Sequence, residues 1–252
     1  MLYPKICVIM ATYCRKNGRS KEFLSQALKC LEAQTYGDFK LFLIGDHYDN
    51  NEEFEELCKS YTKDIFYTNN KESFRDYKFN DKTIYWKIGG GIAIKTGVEM
   101  AINENFDYYF HLDDDDVWKN NHIQIAIDHI KKYPEVDFLL TKAQFRKGIL
   151  PVRGIVSNII EYNNYIPTPA DSVHASHVYN LKKLGSTILD LLNNDYHRAN
   201  QIHNKLLSEA NIIPGDKTLL NNMADKQKNG QLKSLYIPIL TVVKLTDYNL
   251  PI

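Results

Sequence analysis

The chain has 252 residues, 44% apolar and 25% charged, a composition that supports a substantial buried core and excludes extended disorder. Lys plus Arg equals Asp plus Glu at 31 each, so no basic excess favours a phosphate backbone and nucleic acid is not an expected partner. No apolar run reaches the roughly 18 residues of a membrane span, and the first run is too short for a signal peptide, so a cytoplasmic protein is expected.

The first apolar run, Ile6 to Met10, is continuous rather than alternating, which predicts a strand covered on both faces in a mostly parallel sheet. Ser20 is a candidate helix N-cap, and Phe23, Leu24, Ala27, Leu28 and Leu31 follow at helical spacing, ending near Gly37. A second strand is expected in "FKLFLIGD" (39–46), a helix from Asn51 to Tyr61, and a short strand from Asp64 to Thr68. A third helix follows in "GIAIKTGVEMAINEN", with Ile94, Val98, Ala101 and Ile102 inward. "FDYYFHL" reads as the next strand, Trp118 to Lys132 as a helix with Ile123, Ile127 and Ile130 on one face, and "VDFLLTKAQF" as another strand. Beyond about residue 148 the alternation loosens: a loop at "IPTPAD", helical stretches at Leu181 to Asn193 and Asn200 to Ala210, a turn and helix in "NIIPGDKTLLNNMAD", and a closing apolar strand, "SLYIPILTVVKL". No linker interrupts this order. We expect one α/β domain over 1–252, with a nucleotide-binding half (1–147) and an acceptor-binding half (148–252). Cys7, Cys14, Cys30 and Cys58 show no C-x-x-C spacing and read as reduced thiols.

The segment with most chemistry is "FHLDDDDVW", residues 110–118. Asp113, Asp114, Asp115 and Asp116 would repel by roughly a kcal/mol per close pair, so a positive partner is expected among them. The tetrad falls where a strand ends, and in open α/β sheets ligands bind beyond the carboxyl ends of strands. If the strand direction continues, Asp113 and Asp115 share a face and Asp114 points away, which makes a hard-oxygen site suited to Mg2+ or Mn2+. The plainer alternative is a helix start ahead of Trp118, where acids favour the dipole. His174 and His177 stand three apart, a spacing that would bring two imidazoles together on a helix, although most such residues are not ligands.

These motifs resemble the glycosyltransferases of GT-A fold, and within them glycosyltransferase family 2, whose metal motif commonly reads L-D-x-D-D-x-W. Leu112 to Trp118 matches it position by position, Ala11-Thr12-Tyr13-Cys14-Arg15 keeps three of the five residues of P-T-Y-N-R, and Asp46 stands where a second strand ends in a base-contacting Asp. The resemblance implies a GT-A, Rossmann-like fold with a mostly parallel central sheet flanked by helices. It also implies metal ligation by Asp113 and Asp115, and nucleotide-sugar contacts from Thr12, Tyr13, Arg15, Asp46, Lys95, Asp113 and Asp114. The family's Gly-x-x-Ala-Arg-Asn-x-Gly segment is altered here, with Ile94 and Lys95 in place of Arg and Asn, so Lys95 and the helix N-terminus stand as diphosphate contacts beside a purely structural glycine turn.

An inverting transfer needs a base opposite the leaving nucleotide. Family members carry it in a Glu-Asp pair opening a helix, and "PGDKTLL" has Gly215 in place of the Glu. Asp216 is the candidate, its other reading being an ordinary helix cap, and Asp171 is the second choice. The expected activity is sugar transfer from a nucleotide diphosphate, a UDP-sugar, to a hydroxyl of a glycan or other acceptor, helped by Mn2+ or Mg2+. The alternatives are a sugar nucleotidyltransferase, disfavoured by the lack of a Gly-rich, Arg-containing loop after the first strand, and a noncatalytic module of the same fold, favoured by Gly215. Without a Q-x-x-R-W motif or membrane helices, a processive polymer synthase is not expected. Oligomeric state is not readable from the chain.

Overall fold

Alternate residues of the first strand divide between two hydrophobic cores: Ile6, Val8 and Met10 on one side, Cys7 and Ile9 on the other. This is why the run is apolar throughout. The computed structural model describes residues 4–80, 83–145, 148–150, 161–162, 174–204 and 223–244, and the strand is β1 (Ile6–Thr12). Then come α1 (Ser20–Glu32), β2 (Lys40–Gly45), α2 (Asn51–Ser60), β3 (Ile65–Asn69), α3 (Thr83–Ile88), α4 (Gly91–Asn103) and β4 (Tyr108–His111). β5 (Asp116–Trp118), α5 (His122–Lys132), β6 (Phe138–Phe145), β7 (Gly148–Leu150), β8 (Glu161–Tyr162), β9 (His177–Asn180), α6 (Leu181–His203) and β10 (Ser234–Lys244) complete the described elements.

One sheet runs through both halves of the chain in the order β3-β2-β1-β4-β9-β6-β10-β5. β3, β2, β1 and β4 are mutually parallel, as are β6 and β10, while β9 and β5 pair antiparallel to their neighbours. Helices α1, α2 and α5 cover one face through Leu24, Leu28, Phe54, Leu57, Ile123 and Ile127. Helices α4 and α6 cover the other through Val98, Ala101, Leu184 and Ile188. α4 lies so close to β1 that a Cβ on Gly97 would collide with Ile9 Cγ2. The chain crosses from β1 to β2 on one side and returns to β4 on the other, so the strand order reverses between β1 and β4 and leaves a crevice at their carboxyl ends.

The structure differs from the sequence-based expectation in four places. Arg19, not Ser20, occupies the N-cap of α1; Ser20 Oγ instead accepts the Arg15 backbone N–H at 2.5 Å, tying down the loop after β1. Trp118 ends β5 rather than opening a helix, since residues 116–118 pair with Val242, Val243 and Lys244 of β10, and α5 begins only at His122. On α4 the expected inward residues do meet the core, Val98 and Ala101 buried and Ile94 and Ile102 half-buried against it. The two helical stretches after Leu181 are one helix through His203, with no Gly or Pro to break it at their junction and with Ala199 buried on the apolar side of its second half. α3 and β9 carry no periodicity that marks them in the sequence. Residues 205–210, the loop at "IPTPAD" and the turn at "NIIPGD" lie outside the described residues.

Candidate active site

β1 delivers Thr12, the segment after β2 delivers Asp46, and the turn after β4 delivers Asp113 to Asp115, so the chain gathers them at the carboxyl end of the sheet where its order reverses. β5 then leads off from Asp116, with Lys244, the last residue of β10, directly opposite. A turn and a strand, rather than a helix start, therefore hold the acidic tetrad.

The four carboxylates divide into two groups. Asp114 turns toward β1: Thr12 Oγ1 donates to its Oδ2 at 2.7 Å, and Arg15 grips it bidentately, Nη1 to Oδ2 at 2.7 Å and Nη2 to Oδ1 at 2.5 Å. Both partners are nearly buried, with 9% and 5% of their side chains exposed. Burial alone would lower the Arg15 pKa, but Asp114 outweighs it and holds the guanidinium firmly protonated. Asp113, Asp115 and Asp116 face one another instead, offering one oxygen each within 4.8 Å. The structure thus brings Asp113 and Asp115 together with Asp114 turned away, and adds Asp116, which the sequence motif does not single out as a ligand. A bend at Asp114 and Asp115, which a straight strand extrapolation ignores, supplies that third carboxylate.

Lys244 Nζ sits 3.2 Å from both Asp115 Oδ1 and Asp116 Oδ1. Burial still raises the Asp115 and Asp116 pKa values, and neighbouring carboxylates add to it against the pull of Lys244. Asp113 moves the other way: burial would raise it, but His111 at 3.0 Å and Lys244 beyond draw it below the usual carboxylate range. Among the described residues the three carboxylates share Lys244 and a longer contact from Arg15 Nη2, 3.6 Å from Asp115 Oδ2. An all-oxygen set of this kind fits a hard divalent cation such as Mg2+ or Mn2+.

A second pocket wall lies beside β2. Asp46, only 2% exposed, accepts from Ser73 Oγ at 2.7 Å and from the Gly90 N–H at 3.1 Å through Oδ2, and Arg75 Nε stands 3.4 Å away. Its Oδ1 is buried without a hydrogen-bond partner among the described residues, and burial raises its pKa. Gly90 reaches this position at φ +78°, a conformation that favours glycine. The Tyr13 ring lies between two guanidinium groups, Arg75 at 3.5 Å and Arg15 at 4.4 Å from its centroid. Nothing in "KESFRD" marks the approach of Ser73 and Arg75 to Asp46, which only the packing of the short 3-10 turn Phe74–Asp76 creates, so the sequence gives no signal for either residue.

Lys95, in the second turn of α4, pairs with Glu99 at 3.2 Å and lies over the Tyr196 ring at 5.8 Å. His174 and His177 do not share a helix: one opens a 3-10 turn and the other begins β9, with ring centroids 5.6 Å apart. Asp171 and Asp216 lie outside the described residues. All four cysteines are free.

Comparison with known proteins gives a consistent picture. The family model described as Glycosyl transferase family 2 matches residues 7–166. An uncharacterised glycosyltransferase of Acanthamoeba polyphaga mimivirus is 29% identical over 204 residues, 79% of this chain and 78% of that protein. S. aureus TarS in complex with UDP-GlcNAc superposes with a TM-score of 0.59 at 13% identity, over 98% of this chain and 60% of that one. The mannosyltransferase PcManGT from Pyrobaculum calidifontis, in complex with GDP-Man and Mn2+, gives 0.60 at 12% identity, over 98% and 59%. This chain spans about three fifths of those solved chains, and at such identity the likeness is one of fold, the GT-A fold.

Proposed function

The chain belongs to glycosyl transferase family 2, and we propose that it is a metal-dependent, inverting glycosyltransferase that moves a hexosyl or pentosyl group from a UDP-sugar to a hydroxyl of a glycan or other acceptor in the cytoplasm. No helix among the described residues is long and apolar enough to cross a membrane.

The observation that carries this reading is the convergence of Asp113, Asp115 and Asp116 at the strand-order reversal, one wall away from the buried Asp46. In the proposed reaction Asp113, Asp115 and Asp116 hold Mn2+ or Mg2+, which when bound supplies Lewis-acid stabilisation to a departing diphosphate. Arg15 and Thr12 fix Asp114 and, through it, the turn that aims the other acids. Asp46 offers its unpartnered Oδ1 to a nucleobase N–H, and Tyr13 offers a ring edge between its two guanidiniums. Asp216, or failing it Asp171, takes the proton from the acceptor hydroxyl as the anomeric carbon is attacked from the face opposite the nucleotide.

The test is nucleotide release from a set of nucleotide sugars by the chelator-stripped chain, with and without added manganese, in wild type and Asp115→Asn. Hydrolysis that needs manganese and falls at least about a hundredfold in the variant supports the reading, on the scale of losing one electrostatic contact to developing charge. Hydrolysis indifferent to chelation refutes metal dependence. Pyrophosphate release from a nucleoside triphosphate and a sugar phosphate would place the protein among the nucleotidyltransferases, and tight nucleotide binding without turnover would mark a noncatalytic module. The anomeric configuration of the product, read by NMR, decides inversion.

A further inference from the structure

We propose that His111, Asp113 and His174 form a second metal site, different in ligand chemistry from the carboxylate trio, which takes a borderline transition cation of the zinc class. One ligand atom from each of the three lies within 4.8 Å of the others. Zinc ligands about 2.0–2.1 Å from the ion in a tetrahedral array stand about 3.3 Å apart. His111 Nε2 and Asp113 Oδ1, at 3.0 Å, are already near that separation. His174 contributes the third ligand atom, within 4.8 Å of the other two.

The orientation of His111 is built into the fold. It is the last residue of β4, so its side chain shares a face with Tyr109, two residues earlier, and the Tyr109 hydroxyl meets its Nδ1. Metal-ligating histidines characteristically engage their second ring nitrogen in this way, which fixes the ring and leaves the other nitrogen to the metal. Here that other nitrogen is Nε2, the one facing Asp113.

His174 arrives from a different part of the chain. The 3-10 turn that it opens is anchored by the buried Ala175 and Ser176, and the Ala175 carbonyl accepts the Trp118 Nε1–H at 2.8 Å. This anchoring sets the His174 ring at right angles to His111, with centroids 5.5 Å apart. Asp113 and His174 are both partly exposed, so an ion can reach them.

Ligand type separates the two groups. Imidazole nitrogens suit zinc, nickel, copper and iron, whereas carboxylates suit magnesium, calcium and manganese. Two imidazoles and one carboxylate make a three-ligand set that leaves a coordination position open. Asp113 belongs to both groups, so filling one alters the charge available to the other. Zinc binding of this kind needs no donor, so it is measurable without the transfer reaction even though the two sites share Asp113.

The experiment is calorimetric titration of the chelator-stripped full chain with Zn2+ alone, in wild type, His174→Gln, His111→Gln and Asp116→Asn, with melting temperatures checking each fold. His174→Gln, at a partly exposed position, keeps the test valid should His111→Gln fail to fold. Wild type is expected to bind zinc. Losing an imidazole is expected to weaken that binding at least about tenfold, the lower bound for removing even an orienting partner. Asp116→Asn should stay within about threefold of wild type. No zinc binding by wild type, unchanged affinity in His174→Gln, or an equal loss in Asp116→Asn would each overturn the proposal, the last by placing zinc in the carboxylate trio. Manganese-dependent donor hydrolysis, measured separately, tests the transfer reaction whichever way the zinc titration turns out.

Discussion

Replacing Arg15 by Met tests how the acidic turn is held. In the native protein Asp114 accepts three short hydrogen bonds, two from Arg15 and one from Thr12, and only 5% of its side chain is exposed. Arg15→Met leaves Oδ1 without its guanidinium N–H and Oδ2 with Thr12 alone, an uncompensated charge inside the protein. Breaking a buried pair from one side typically costs about 3–5 kcal/mol. For a chain of this length about 2–4 °C of melting temperature accompanies each kcal/mol, so the variant should melt about 6–20 °C below wild type. The loss is a large part of the roughly 5–15 kcal/mol that typically holds a domain folded. Urea unfolding followed by circular dichroism gives the free energy directly. Arg15→Lys, which keeps the charge but loses the two-pronged geometry, should fall between the two. The double variant Arg15→Met/Asp114→Leu should regain most of the loss, because an apolar pair of similar volume needs no compensation. A loss below about 1 kcal/mol in Arg15→Met, or a double variant as unstable as the sum of the singles, would refute the claim that a buried charge pair holds this turn.

Three further outcomes follow from separate features. Lys244→Met removes the ammonium 3.2 Å from Asp115 and Asp116, so without metal the variant should melt lower than wild type, while manganese should raise its melting temperature more than it raises that of wild type; equal shifts in a thermal scan would count against competition between Lys244 and a divalent cation. Burial lowers the His122 pKa to about 3, so the unfolded chain binds the extra proton between about pH 6.5 and 3, and the stability due to the neutral ring is full above that window and lost as pH falls through it, with a slope of up to about 1.4 kcal/mol per pH unit. His122→Phe should flatten the stability-against-pH curve over that range, and an unchanged slope would show that other groups control it. Gly97→Ala places a methyl against Ile9 Cγ2 and should cost about 1–3 kcal/mol by overpacking, measured by chemical unfolding; a neutral result would mean that α4 shifts freely on β1.

The parallel half of the fold was legible because each strand and helix there signals itself locally. A continuous apolar run such as Ile6 to Met10 is tolerated only where two cores flank the strand, and the 3.6-residue pattern in α1, α2 and α5 repeats that statement from the covering layers. β9 and β5 were illegible for a physical reason. "HVYN" and "DVW" are too short to display a period, and they become strands only because β4, β6 and β10 present unpaired edges to them. Tertiary pairing, not local preference, decides such segments.

The same distinction separates the parts of the site. Four consecutive acids announce a need for positive charge, and the sequence alone says where the cation site should be sought. It does not say which acids meet, since that depends on the bend at Asp114 and Asp115 and on a lysine 128 residues after Asp116. Arg15 shows the difference most clearly: read in isolation it is a cation available to a diphosphate, whereas in the fold both of its terminal nitrogens already serve Asp114. A donor contact from Arg15 would therefore have to be made alongside that pair rather than in place of it. The Arg15→Met variant examines the structural half of this assignment, because its stability is measured with no nucleotide present.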